Sequence, residues 1–97
     1  MDFESFRKST TAAAPPAGLD LATQALWWDA KGDWDKAHGL ADKDHGAKGS
    51  WVHAYLHRKE GDRGNAGYWY RRADKAMPGK ASLDEEWMAI AKALLGG

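Results

Sequence analysis

The chain contains no cysteine, which excludes disulfides, thiolate metal sites and a cysteine nucleophile. It also lacks net charge: 14 Lys and Arg face 14 Asp and Glu, which argues against a general binder of polyanions. Apolar runs extend only a few residues, so no membrane-spanning helix is expected. Proline is confined to Pro15, Pro16 and Pro78. No stretch alternates β-branched with polar residues, as half-buried strands do. The acidic start, MDFESFRKS, has neither the charge nor the apolar core of a secretory signal, and a cytoplasmic protein is expected. Catalytic signatures are missing as well: no Gly-rich phosphate loop, no G-x-S-x-G elbow and no acid pair in an apolar setting. A non-catalytic protein that needs no cofactor is expected.

What is present points to one small all-α domain. Of the 97 residues 43% are hydrophobic and 29% charged, a soluble composition, but so short a chain buries only somewhat over half of its unfolded surface. Residues 1–18 read as a flexible N-terminal arm and linker, with one short amphipathic turn around Phe3 and Phe6 followed by STTAAAPPAG. Residues 19–97 form the domain. A first helix over 20–31 carries Leu21, Ala25, Leu26 and Trp28 on one side and stops at Gly32, after which Asp33 caps a second over 34–43. DHGAKG then makes a loop, and Ser50 caps a third helix that runs to Glu60. Gly61 and Asp62 repeat the stop and cap, opening a fourth helix to about residue 76, before Pro78. Ser82 with Glu85 is a capping box for a last helix over 83–95, striped with Leu83, Trp87, Ile90, Ala91 and Leu94. The expected architecture is two antiparallel helix pairs, 19–45 and 50–77, with a capping helix, 82–95, laid across the second pair.

Aligning the two Gly-Asp turns exposes an internal repeat with a period of 29 residues. Trp28, Ala30, Gly32, Asp33, Lys36 and Ala37 stand against His57, Lys59, Gly61, Asp62, Asn65 and Ala66. In the second copy Ala54, Gly61, Ala66, Tyr70, Ala73 and Pro78 fall at the spacings of small residue, Gly turn, Ala, aromatic, Ala and Pro. On these residues the chain resembles the tetratricopeptide and related Sel1-like repeats. The first copy keeps Ala25, Gly32 and Ala37 but has Ala41 at the aromatic position and no proline. The string WVHAYLHRKEGDRGNAGYWYRRA also looks like a group of short bacterial proteins, which supplies relatives but no activity. The repeat resemblance implies a right-handed stack whose groove is lined by the first helix of each pair. Leu26, Trp51, Tyr55 and Arg58 would then project into it. It implies non-catalytic binding of another protein, or self-association as a homodimer.

Three constellations bear on function. Six tryptophans are more than a core this small readily buries, and Trp27 beside Trp28 must point elsewhere, so aromatic side chains are expected on a binding surface. His53 and His57 lie one turn apart on one helix face, a spacing that holds a shared metal ion, with Glu60 following on nearly the same face. His38 and His45 lie in the preceding segment and are further candidate ligands; nitrogen and carboxylate donors suit zinc, nickel or copper. The competing reading is that both histidines are inward-facing packing residues. Finally, YWYRR places aromatics beside arginines, and residues 56–80 hold seven Lys and Arg against three Asp and Glu. Neighbouring residues on a helix point in different directions, so nucleic-acid binding is not expected.

Overall fold

In the computed structural model, which describes residues 1–96, the chain forms six helices and, among the described residues, no strand. They are α1 (Phe3–Ser9), α2 (Leu21–Ala30), α3 (Trp34–Lys43), α4 (Ala47–Glu60), α5 (Arg63–Arg72) and α6 (Leu83–Leu94). Helix α2 packs on α3, α4 on α5, and α3 on α4, so the two expected pairs lie side by side.

Both pairs turn in the same way. Gly32 and Gly61 adopt φ of 86° and 90°, a left-handed conformation that only a residue without Cβ takes at little cost. The aspartate that follows each glycine accepts a hydrogen bond from the backbone N–H three residues on, at Lys36 and Asn65, 3.1 Å in both cases. The N–H of Asp33 donates back to the Trp28 carbonyl at 3.0 Å, and that of Asp62 to the His57 carbonyl at 2.9 Å. One dipeptide thus closes a helix and opens the next.

Helix α6 opens on the expected capping box, with Glu85 N–H to Ser82 Oγ at 3.0 Å and Ser82 N–H to Glu85 Oε1 at 3.1 Å. It does not lie across the second pair alone. It packs on both α2 and α4, burying Ile90, Ala91 and Leu94, and Trp87 Nε1 donates to the Leu26 carbonyl at 3.0 Å. Pairing with α3 and α5 leaves apolar area on α2 and α4 together, and the stripe of α6 is the apolar surface within reach to cover it.

Four expectations need correction. The N-terminal arm is not loose over its first nine residues: Phe6 is fully buried and stacks on Trp87, with ring centroids 5.7 Å apart, so α1 belongs to the core. Trp27 points inward, not away; it is fully buried, and its Nε1 donates to Ser9 Oγ at 3.1 Å because the end of α1 covers it. Helix α4 starts upstream of Ser50. Gly46 is its N-cap, and the bare α-carbon of Gly49 lets the Asp44 carbonyl pack where a Cβ would collide with it. Helix α5 ends at Arg72 because Asp74 takes the left-handed conformation, φ 58°, and Lys75 N–H donates to the Tyr70 carbonyl at 2.9 Å.

Candidate metal site

The residues expected to line a partner groove are engaged within the fold. Leu26 and Tyr55 are 0% and 2% exposed. Trp51 is half-buried, with Lys75 Nζ 4.4 Å from its ring centre. Arg58 bridges to α6, donating Nη1 to Glu86 Oε1 at 2.8 Å and Nη2 to the Ala81 carbonyl. The Tyr55 hydroxyl donates to Asp29 Oδ2 at 3.0 Å, and Lys59 Nζ to Asp29 Oδ1 at 2.9 Å. Of the expected groove set, Leu26 and Arg58 are therefore held by α6, Tyr55 by Asp29 of α2, and Trp51 packs beside Ala54, Ala66 and Tyr70. The tryptophans are used in the same way, since all six are buried or half-buried.

The histidines are brought together. His38 comes from α3, and His53 and His57 from successive turns of α4. One ligand nitrogen from each lies within 4.8 Å of the other two. Ring centroids are 4.5 Å apart for His38 and His53, 5.2 Å for His38 and His57, and 4.8 Å for His53 and His57. Two indoles hold the group in place. Trp69 of α5 stacks on His53 at 3.8 Å, and Trp34 of α3 stacks on His38 at 4.8 Å, each within 12° of parallel. Trp34 is itself anchored by Nε1 donating to the Leu56 carbonyl at 2.9 Å.

The third imidazole is His38, one of the two candidates from the preceding segment. The other, His45, is exposed and lines a neighbouring cavity of about 200 Å³ with His53, Trp69 and Arg72. Glu60 does not share a centre with His53. Its Oε1 stands 3.3 Å from His57 Nδ1, and it groups with His57 and Asp62 rather than with the three histidines. Asp62 is committed to capping α5. Of the expected set of His53, His57 and Glu60, the two histidines come together with His38, and Glu60 stands beside His57 alone. Sequence spacing alone could not choose between His38 and His45, because the choice depends on how α3 crosses α4.

Burial, reinforced by the neighbouring His38 and His57 and opposed by Asp42, pulls the pKa of His53 down to about 4. His53 is consequently neutral at pH 7, the form in which an imidazole ligates a metal. Tetrahedral zinc with nitrogen at about 2.0–2.1 Å sets its ligand atoms roughly 3.3 Å apart. The nitrogens, now within 4.8 Å of one another, would have to close by up to about 1.5 Å to share one ion.

Two other features offer less. In the YWYRR segment Tyr68 is exposed and accepts from Arg72 Nη1 at 3.3 Å, Trp69 lies on His53, and Tyr70 is buried, donating to Glu86 Oε2 at 2.5 Å. The three rings point three ways and form no stacking platform. A cavity of about 440 Å³ is lined by residues of α1, α2, α4 and α6, including Arg7, Asp29, Lys59 and Asp84, whose charges balance. Tyr55 and Lys59 there already donate to Asp29. No helix among the described residues is long and apolar enough to cross a membrane. Comparison with protein-family models, curated proteins and solved structures found no match to this chain.

Proposed function

We propose that this protein binds one divalent transition-metal ion of the zinc class between α3 and α4, through His38, His53 and His57. The observation that carries the reading is the convergence of three imidazole nitrogens from two helices within 4.8 Å of one another. A histidine pair at helical spacing is ordinary packing, whereas a third ring from a different helix supplies the donor set that a nitrogen-ligated ion requires. The ion would join the first helix pair, through His38, to the second, through His53 and His57. Three protein ligands leave one tetrahedral position for water or an external ligand. The two hairpins are further read as diverged copies of a tetratricopeptide-type unit, a reading supported by their matching Gly-Asp turns.

Calorimetric titration of metal-free protein with zinc chloride tests the proposal, with thermal melts alongside. One ion per chain is expected. At about a hundred times its Kd the ion adds about 2.7 kcal/mol of stability, a rise in Tm of about 10 °C or more in a domain of this size. His38→Ala, at a half-buried position, is expected to keep the helical circular dichroism and lose most of the rise. A Tm indifferent to zinc, or shifted equally in His38→Ala, contradicts the proposal.

A further inference from the structure

An imidazole that ligates a metal through one nitrogen carries a proton on the other, and the acceptor of that proton decides which nitrogen faces the ion. In α4 the acceptor for His57 is on the same helix. Glu60 Oε1 lies 3.3 Å from His57 Nδ1, one turn further along. A carboxylate has no proton to give, so in this pair Nδ1 is the donor and the lone pair of the ring is left at Nε2. The alternative tautomer would leave two acceptors facing each other across that contact.

The same relation recurs beside His53. Asp42 Oδ1 stands 4.0 Å from His53 Nδ1, beyond hydrogen-bond length, on an exposed side chain with room to close. Two imidazoles on α4 thus each have a carboxylate on the Nδ1 side, one from α4 itself and one from α3.

We infer that Glu60 is a positioning residue, which holds His57 in the Nδ1–H tautomer and presents Nε2 to the ion shared with His38 and His53; Asp42 stands in the same role for His53. The inference rests on the metal reading above. It replaces the expectation that Glu60 is itself a ligand: the carboxylate acts through the ring. Outer carboxylates of this kind also raise ligand basicity, and losing one typically lowers metal affinity about 10–100-fold.

Long-range proton–nitrogen NMR on metal-free protein at pH 8 reads the tautomer directly. His57 is expected to be protonated at Nδ1, and a His57 protonated at Nε2 overturns the inference whether or not zinc binds. Zinc affinity supplies the second readout. Glu60→Ala is expected to weaken binding about 10–100-fold, with the Tm of the metal-free protein little changed. Glu60→Gln keeps an acceptor oxygen without the charge and is expected to restore much of the lost affinity. Equal losses in the two variants would mean that charge alone acts, and an unchanged Glu60→Ala affinity would mean that nothing acts; both overturn the positioning role. If the wild-type chain takes up no zinc, it is the metal reading that fails, and the nitrogen spectra still test the Glu60–His57 tautomer on their own.

Discussion

Tyr55 and Tyr70 each place a phenol against a buried carboxylate, Asp29 and Glu86 respectively. Burial first, and then the neighbouring acid, push both phenols far above the ordinary tyrosine pKa near 10. The pH dependence follows from comparing the two states. Above about pH 10 the unfolded chain releases these protons while the folded protein keeps them, so the stability they provide is complete below pH 10 and is lost as pH rises beyond it. Urea melts at pH 9, 10 and 11 are expected to show that loss, with a shallower slope in the Tyr55→Phe/Tyr70→Phe double variant. An equal slope in the variant would show that the phenols ionise normally in the folded state. At this scale the sequence was informative about local bonds and silent about distant ones. Asp33, Asp62 and Ser82 cap helices from within four residues, so their roles could be read from the chain order. The partners of Asp29 and Glu86, by contrast, lie 16 to 30 positions away.

Among the elements, α1 departs furthest from expectation. It is only seven residues long, capped by Asp2 accepting from Ser5 N–H at 2.8 Å, and such a helix has little stability of its own. It persists through Phe6, which inserts beside Trp87 and removes a full aromatic ring from water. Phe6→Ala is expected to cost about 3–5 kcal/mol, a large share of the stability of so small a domain. The corresponding fall in Tm is about 12 °C or more by differential scanning calorimetry, whereas a fall of a degree or two would mean that α1 is not docked. The amphipathic turn around Phe3 and Phe6 was visible in the sequence. Its docking was not, because the site that receives it is assembled from α2 and α6. The start of α4 was hidden for a similar reason: Gly46 and Gly49 look like loop residues, and only the close approach of Asp44 shows that Gly49 sits inside a helix. Helix α4 also buries residues on most of its circumference, including Val52, His53, Tyr55, Leu56 and His57, so it presents no single apolar stripe to read.

For the whole molecule, α6 decides which surfaces remain free. By lying on α2 and α4 it closes the face where a two-pair stack would otherwise hold a groove, and it shares one core with α1. Chain termination at Gly79 would strip Trp87, Ile90, Ala91 and Leu94 from that core and remove the Trp87 indole from the Leu26 carbonyl. The shortened chain is expected to lack a cooperative thermal transition; helical circular dichroism and melting like those of the full chain would contradict this. The all-α class and the boundaries of α3 were legible from turn and cap signals, but the side of the stack that α6 covers was not, since its stripe fits any apolar face. What that arrangement leaves distinctive is the joint between the pairs, where α3 and α4 bring three histidines together between two tryptophans. The most direct test is anomalous diffraction at the zinc absorption edge from crystals grown with equimolar zinc. The account predicts one peak per chain, about 2.0–2.1 Å from a ring nitrogen of each of His38, His53 and His57. A peak elsewhere, or three rings still apart with no metal between them, would contradict it.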